Sequence, residues 1–478
     1  MRNWDYLWIN GKQKEISESI AVLNPRNEEV IGYVPLANLE TVEEAIQAAT
    51  TAFPDWSSLL GEERSNYLEG WANLIEEQEQ SLAELLSLEQ GKPLSEAIGE
   101  IKGTCVIIRW FAQEGKRIYG EILPSIGQTQ QLMVLQKPVG CVGLITPANV
   151  PAAILANKVA PALAAGCTFV LKPADQTPMI GLALIELLNK TGIPKGVANI
   201  VTGNGEEIGQ RIVADPRLKK IAFTGSTVVG KKIAAQASNS IKRLTLELGG
   251  NAPAIVCKDA NIEDAVAKIM SNKFENSGQV CNGINVVYAH ESIKEEVVRL
   301  LKEKVEGLSF NTHTNPQGTI GPLIDKSYIL RVETIVKDAK EKGASILVGG
   351  NKSDTAETSE GYYFEPTLID DVTQEMSITQ EEVFGPVLPV SSFSSEEEIL
   401  EVCNNITNAL AAYVFTSDLQ KVNVMMNQLE FGSIGINQTS LAFPQAPFGG
   451  LKEGGIGRVG GRRGLEEYLE LRYIALTT

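Results

Sequence analysis

Cys281 lies at a junction where a thiol could act as a nucleophile. Before it, residues 264–274 repeat apolar side chains at helical spacing, and Ser277-Gly278 interrupts that pattern. After it, the β-branched run 284–288 predicts a buried strand. The sequence therefore predicts Cys281 on a turn between two rigid elements, open to a ligand. A single cysteine is more often a core residue, so the interpretation depends on other residues.

The histidines restrict the choice of a base for that thiol. The chain has two, His290 and His313. The first follows the predicted strand and the second lies in a polar loop, so both are typical of surface residues. A Cys-His dyad is therefore not expected, and a carboxylate is the predicted base.

Two polar residues elsewhere end strand-like segments. Glu247 alternates with leucines along 244–248, so its side chain is predicted on the opposite face of the strand. It is either a solvated strand end or a half-buried base with a raised pKa. Asn149, between Pro147 and Pro151, is either a helix N-cap or an amide that donates to a developing oxyanion.

Two further turns could bind a dinucleotide. Gly225-Ser226 and Gly230 stand where a strand meets a helix, and such a helix N-terminus offers N–H groups to phosphate. The spacing is not the G-x-G-x-x-G fingerprint, so a turn without ligand is the alternative. In Lys172-Pro-Ala-Asp175, the carboxylate either accepts from both ribose hydroxyls, which favours NAD over NADP, or simply ends the strand.

Together these residues supply a thiol, a carboxylate base, an amide donor and a phosphate-binding turn. That combination predicts the covalent oxidation of a carbonyl compound by a dinucleotide.

The elements that must position these residues follow an α/β order. From 138 to 256, five predicted strands alternate with helices, which is typical of a parallel, doubly wound sheet. A second α/β block extends from 252 to about 448 and contains Cys281. Residues 118–138 resemble an extended hairpin, and the alternating tail 467–476 is typical of an edge or intersubunit strand.

Composition excludes several classes of protein. The 478 residues predict two or three domains. A formal net charge of −17 argues against nucleic acid or an anionic membrane as a partner. Six dispersed cysteines argue against disulfides and against a metal site. No apolar run reaches roughly 18 residues and no signal peptide is recognisable, so a cytoplasmic location is expected.

The chain resembles the aldehyde dehydrogenase superfamily over essentially its whole length. Seven motifs in family order carry the resemblance: Asn149 between prolines, Lys172-Pro-Ala, Phe223-Thr-Gly-Ser, Glu247-Leu-Gly-Gly, Gly278-Gln-Val-Cys281, Glu381-Glu382-Val-Phe384-Gly-Pro386 and Pro447-Phe-Gly-Gly450. Within the superfamily the chain is most similar to the succinate-semialdehyde and lactaldehyde branch.

The resemblance implies a role for each motif. Cys281 would attack the aldehyde to form a thiohemiacetal, and Asn149 with the backbone N–H of Cys281 would stabilise its oxyanion. Glu247 would activate the water that hydrolyses the thioester. The cofactor is expected to be NAD, with NADP as the alternative, and its implied binding residues are Thr146, Pro147, Lys172, Ala174, Asp175, Gly205, Gly225, Ser226, Gly230, Leu248, Glu382 and Phe384. The implied substrate residues are Asn157, Glu275, Ala442 and Phe448.

The same resemblance implies the architecture. A Rossmann-type dinucleotide-binding domain would comprise 1–117 and 139–249, and an α/β catalytic domain 250–448. A small β segment, 118–138 with 459–478, would join subunits into a homodimer or homotetramer.

The chain departs from the branch at the substrate positions. Succinate-semialdehyde members place arginines at Asn157 and Glu275 and a serine near Ala442, while Ala148 replaces the usual tryptophan before Asn149. A dianionic product would meet Glu275 instead of a guanidinium. We therefore expect a small neutral or cationic aldehyde as substrate.

Two alternative functions stay open at this point. A CoA-acylating aldehyde dehydrogenase would use a thiol in place of water, although Glu247 argues against it because such an enzyme needs no water-activating base. A non-catalytic dinucleotide-binding protein would keep the fold without the chemistry.

Overall fold

The N-terminal region is a pair of short hairpins followed by four helices. The computed structural model describes residues 4–477; residues 1–3 and 478, which the predicted outer segments include, lie outside it. The elements up to residue 138 are β1 (Tyr6–Ile9), β2 (Lys12–Glu15), β3 (Ser19–Leu23), β4 (Val30–Pro35), α1 (Leu39–Ser58), α2 (Gly61–Glu77), α3 (Glu79–Gln90), α4 (Leu94–Glu114), β5 (Glu121–Leu123) and β6 (Gln130–Pro138).

The next region forms a sheet with helices on both faces. Its elements are β7 (Cys141–Ile145), α5 (Pro151–Ala165), β8 (Thr168–Lys172), α6 (Pro178–Lys190), β9 (Ala198–Ile200), α7 (Gly205–Ala214), β10 (Leu218–Thr224), α8 (Thr227–Ala237) and β11 (Arg243–Glu247). These five strands are parallel in the order β11-β10-β7-β8-β9. They are rich in buried apolar side chains because helices cover both faces.

The remaining chain builds a second large sheet and the C-terminal tail. Its elements are β12 (Ala252–Val256), α9 (Ile262–Phe274), β13 (Ile284–His290), α10 (Lys294–Glu306), α11 (Lys326–Glu341), β14 (Ser345–Val348), β15 (Thr367–Asp370), α12 (Ser377–Gln380), β16 (Val387–Phe393), α13 (Glu396–Asn404), β17 (Asn408–Ala409), β18 (Ala411–Phe415), α14 (Leu419–Gln428), β19 (Ser433–Ile436), β20 (Leu451–Lys452), β21 (Gly455–Ile456), α15 (Gly461–Glu466) and β22 (Leu469–Thr477).

The second sheet has seven strands in the order β14-β15-β16-β13-β12-β18-β19. All its pairs are parallel except β14 with β15. Side chains alternate between two apolar cores, so that Ile255 packs on one face and Val256 on the other. Strand β21 leaves this part of the chain and pairs antiparallel with β11 of the first sheet.

The tail and the central hairpin form one three-stranded sheet. Strand β22 pairs antiparallel with β6 along nine residues of each strand, and β5 covers the other edge of β6. Its exposed apolar side chains include Ile122, Leu471 and Tyr473.

The predicted α/β class with a parallel dinucleotide-type sheet is confirmed. Helix α5 begins at Pro151, because proline suits the first turn of a helix. Helix α8 begins at Thr227, because the side chain of Ser226 caps it. The domain limits themselves stay a prediction. In the described chain no helix combines the length and apolar character that a membrane crossing requires.

Candidate active site

The turn before Cys281 is held in an unusual backbone conformation. Helix α9 ends at Phe274, and Asn276, Ser277 and Gly278 then have φ values of +48°, +56° and +78°. Left-handed residues other than glycine cost free energy, on the order of 1–3 kcal/mol each, and persist where surrounding contacts over-determine them. The turn delivers Cys281 immediately before β13, as the sequence predicts.

Side-chain hydrogen bonds stabilise that turn. Asn276 Nδ2 donates to the carbonyl oxygen of Asn149 at 2.9 Å, and Ser277 Oγ donates to Gly321 O at 2.8 Å. The side-chain amide of Gln279 bonds to the segment before α11, donating to Pro322 O and accepting from the backbone N–H of Ile324. These bonds connect the turn that leads to Cys281 (residues 276–281, the nucleophile turn) to the loop after β7 and to the segment 321–324 before α11.

We expect Gly278→Ala to impair catalysis. Its methyl group would lie 2.1 Å from the carbonyl oxygen of Gly385, so the turn must move. Because a displacement of about 1 Å can cost roughly 100-fold in rate, kcat for any aldehyde should fall by about 10- to 100-fold. Gly343→Ala is the matched control, since φ there is also positive (+99°) but no atom lies within 4 Å of the new methyl group. Steady-state kinetics and thermal melting of both variants test this; equal kcat values in the two would contradict it.

Glu247 is buried at the carboxyl end of β11. Thr224 Oγ1 donates to its carboxylate at 2.9 Å, and only 6% of the residue is exposed. Burial raises the pKa of Glu247, whereas the nearby Lys158 and the Thr224 bond oppose that rise. The structure therefore shows a buried carboxylate at this position and not a solvated strand end.

Lys158 on α5 is the electrostatic partner of Glu247. It is fully buried, and its Nζ has no hydrogen-bond partner among the described residues. Burial lowers its pKa to about 8, while the charge of Glu247 raises it. The charge of this lysine favours the ionised form of Glu247, which is the form that can accept a proton.

Asn149 is fixed from both of its ends. Its side-chain Nδ2 donates to Gln279 O at 2.9 Å, and its backbone carbonyl oxygen accepts from Lys92 Nζ at 2.9 Å. An amide nitrogen carries two N–H groups, and one such bond uses one of them. Asn149 is also not the N-cap of α5, which is Val150.

Cys281, Glu247 and Asn149 line one cavity of about 580 Å³. The predicted substrate residues Asn157, Glu275, Ala442 and Phe448 line the same cavity. Cys281 is half-buried, while the other five cysteines are buried. Burial raises the pKa of the Cys281 thiol well above its ordinary value, and the charges of Glu247 and Glu382 raise it further. Neither His290 nor His313 lines the cavity.

The residues predicted for cofactor binding gather mainly at the carboxyl ends of the parallel strands. Thr146 and Pro147 follow β7, and Lys172 ends β8 with Ala174 and Asp175 just beyond it. Lys172 Nζ forms an ion pair with Asp175, whose second oxygen accepts from the backbone N–H of Gly205 at 2.9 Å. Asp175 therefore bridges the end of β8 and the start of α7.

The glycine turn lies beside these strand ends. Gly225 joins β10 to α8 and donates its backbone N–H to Glu247 O at 3.1 Å. Ser226 caps α8, and Gly230 packs so closely on Leu248 that a Cβ there would lie 2.4 Å from the leucine. The N-terminal turn of α8 therefore lies against the end of β11, where Glu247 stands, and against Leu248 just after it.

Glu382 and Phe384 reach this region from the second sheet. Glu382 accepts from the backbone N–H of Gly250 at 3.3 Å. Phe384, with φ +51°, packs its ring 5.7 Å from that of Tyr328. Burial raises the pKa of Glu382 to about 7, and the buried Lys273 beside it opposes that rise.

Several charged residues of the site were missed at the sequence level: Lys92, Glu96, Glu100, Lys158 and Lys273. Lys158 carried a usable signal, since it stands among alanines, leucines and valines of α5, where an unpaired lysine would be costly. Glu96, Glu100 and Lys273 lie in ordinary helix positions and Lys92 in the connection between α3 and α4, and none of them gave such a signal.

Comparison with known proteins agrees with this geometry. The profile described as "Aldehyde dehydrogenase family" matches residues 8–474. The NADP-dependent succinate-semialdehyde dehydrogenase GabD of Escherichia coli K12 is 41% identical over 98% of this chain and 97% of its own. The 3-sulfolactaldehyde dehydrogenase of Pseudomonas putida is 40% identical over 99% and 96%. The crystal structure of succinate-semialdehyde dehydrogenase from Burkholderia pseudomallei superimposes with a TM-score of 0.97 at 38% identity, covering 99% of this chain and 98% of that one.

The chain belongs to the aldehyde dehydrogenase family. It is an NAD(P)-dependent enzyme that oxidises a small aldehyde, as predicted, and neither alternative function is favoured.

Proposed function

We propose that this enzyme oxidises a small aldehyde without negative charge to the carboxylic acid, with Cys281 as nucleophile and NAD as the preferred cofactor. The observation that carries the proposal is the shared cavity, in which the thiol, the Glu247 carboxylate and the Asn149 amide meet although they belong to different elements.

The first chemical step uses Cys281 and Asn149. In the structure the thiol has a raised pKa, so it is protonated at neutral pH, and the buried Glu247 carboxylate can accept its proton. Sulfur then bonds to the aldehyde carbon, and the carbonyl oxygen gains charge. The second N–H of Asn149 and the backbone N–H of Cys281 stabilise that oxyanion.

The second step uses Glu247 with water. A bound nicotinamide dinucleotide supplies the hydride acceptor. Loss of a hydride from the thiohemiacetal carbon leaves a thioester on Cys281. After Glu247 has released the thiol proton to solvent, its carboxylate removes a proton from water, and the hydroxide attacks the thioester carbon. The acid is released, and the departing Cys281 thiolate takes the proton back from Glu247. Lys158 supports this role because its charge favours the ionised form of Glu247.

The residues around the strand ends fit a dinucleotide. Thr146 Oγ1 is buried and has no hydrogen-bond partner among the described residues, so it is available to a ligand. Lys172 and Glu382 would hold the two riboses, and Gly225 with Ser226 would face the pyrophosphate at the start of α8. A Cβ at Gly249 would lie 2.5 Å from the Glu382 carboxylate, so a larger residue here would clash with that side chain.

We expect Asp175→Ala to change the cofactor preference. In the wild-type enzyme the carboxylate would repel a 2′-phosphate and occupies Lys172 by its ion pair. Removing it frees the ammonium for phosphate, so the NAD/NADP ratio of kcat/KM should fall by about tenfold or more. Cofactor kinetics at saturating aldehyde measure this ratio, and Asp175→Asn, which keeps the shape but removes the same charge, should shift it in the same direction. An unchanged ratio in Asp175→Ala would contradict the assignment.

The charge of the cavity supports a substrate without a carboxylate. Lys92 is the only cationic side chain among the described residues that line it, and it is paired with Glu100 at 2.5 Å. Asn157 and Glu275 supply no positive charge. The similar enzymes are named for succinate semialdehyde and 3-sulfolactaldehyde, both anionic, so this cavity differs in a property that decides specificity.

Purified enzyme with a panel of aldehydes tests the function. NADH formation with release of the free acid, unchanged by added coenzyme A, supports it. Formation of an acyl-CoA would instead establish the acylating alternative.

We also propose a cytoplasmic homodimer or homotetramer. The six cysteines are unpaired, as in a reducing compartment. The exposed apolar side chains of the β5-β6-β22 sheet support an intersubunit contact.

A further inference from the structure

The part of the cavity wall formed by α4 and the end of α9 contains negative charge that ion pairs within the fold do not neutralise. Four carboxyl side chains line the cavity, namely Glu96, Glu100, Glu247 and Glu275, against one ammonium, Lys92. Lys92 is already bonded within the protein, since its Nζ donates to Glu100 and to the backbone carbonyl oxygen of Asn149. Neither Glu96 nor Glu275 forms an ion pair with a described residue, and the charge of Lys92 only partly offsets the raised pKa of both.

The two glutamates differ in how they are held. Glu96 on α4 accepts the backbone N–H of Asn276 at 2.9 Å, which ties it to the nucleophile turn and places it next to Glu275. Glu275 is open to solvent in the cavity, and its carboxylate makes no hydrogen bond or ion pair with any described residue. Burial is the main cause that raises the pKa of Glu96 to about 7; the charges of Glu275 and Glu100 add to the rise, while the charge of Lys92 and the Asn276 hydrogen bond oppose it. Such repulsion is relieved by a cation placed between the carboxylates.

The same wall has room for a bulky group. Gly99 and Gly103, one turn apart on α4, line the cavity beside Glu96. A Cβ at either position would meet no atom within 4 Å. A large headgroup can therefore approach the carboxylates from the α4 side without a clash.

We propose that Glu275 and Glu96 determine specificity by binding a cationic headgroup, so that the substrate is an aldehyde bearing an ammonium or quaternary ammonium group. This rests on the proposed function and narrows it, because Cys281 and the headgroup site share one cavity. With the carbonyl at the thiol, the positive end of the substrate would face Glu275 and form an ion pair with its carboxylate.

Three aldehydes with the same three-methylene spacer test the proposal: 4-(trimethylammonio)butanal, its uncharged isostere 5,5-dimethylhexanal, and glutarate semialdehyde. For the wild-type enzyme we expect kcat/KM for the cation to exceed that for the isostere by about tenfold, and that for the anion by about 100-fold. Glu275→Gln should lower the value for the cation by about five- to tenfold and leave the isostere within about twofold. Glu96→Gln should also lower kcat/KM for the cation. Glu401→Gln, at an exposed site away from the cavity, should leave kcat/KM unchanged for both the cation and the isostere.

A binding measurement separates this proposal from the proposed function. Butyltrimethylammonium should protect Cys281 from alkylation by iodoacetamide, and pentanoate should not; Glu275→Gln should weaken that protection. Equal kcat/KM for the cation and the isostere, or equal protection by both ions, would overturn the headgroup site while leaving the dehydrogenase assignment intact. Protection by the cation without oxidation of any aldehyde would overturn the proposed function alone.

Discussion

Replacing Cys281 by alanine should abolish aldehyde oxidation. Without the thiol no thiohemiacetal can form, and removal of a covalent nucleophile costs on the order of 10⁴-fold or more in kcat. Cys281→Ser should be nearly as inactive, because a serine hydroxyl has a far higher pKa than a thiol and Glu247 would have to ionise it. NADH formation under single-turnover conditions measures the loss, since it reports the first half of the reaction alone.

Controls distinguish loss of chemistry from loss of structure. Cys105→Ala removes a buried thiol outside the cavity and should retain activity close to the wild type. Cys281→Ala and Cys105→Ala should both still bind NAD, because neither substitution changes the strand ends that carry Lys172 and Gly225. Measurable steady-state oxidation by Cys281→Ala would contradict the assignment of the nucleophile.

Glu247→Gln should block the second half of the reaction more strongly than the first. A general base contributes about 10²- to 10⁴-fold, so steady-state kcat should fall by about 10³-fold. Thioester hydrolysis depends on that base, and we therefore expect a burst of NADH of about one equivalent per Cys281 before the slow turnover. The burst should be slower than in the wild type, because the same carboxylate helps the thiol to lose its proton.

The pH dependence gives an independent check on Glu247. Only the ionised carboxylate accepts a proton, so kcat should rise with pH through the pKa of this group, which burial holds above its ordinary value of 4.5. In Glu247→Gln that limb of the profile should disappear, whereas Glu401→Gln should keep it. Wild-type kcat in Glu247→Gln, or an unchanged pH profile, would show that another group is the base.

Much of this protein followed from local sequence patterns. The alternation of apolar strands and amphipathic helices predicted the parallel sheet because each element must bury one face or both. The interruption at Ser277-Gly278 predicted the nucleophile turn, and polar residues just after strands, such as Asn149 and Glu247, pointed to a common edge of the sheets. These signals come from residues close together in the chain, so they can be recognised without the three-dimensional structure.

The charge state of the cavity was decided by the tertiary structure. Lys92 and Asn149 are 57 positions apart, and Glu96 and Asn276 are 180 apart, yet both pairs are hydrogen-bonded. Whether a lysine is free to bind a carboxylate, or a glutamate is left unpaired, depends on such distant partners and on the water that folding removes. The sequence thus determined which chemical groups the chain has and the elements that carry them. Only the fold decided which charges neutralise one another and which face the substrate, because electrostatic energy depends on distance through space and on burial.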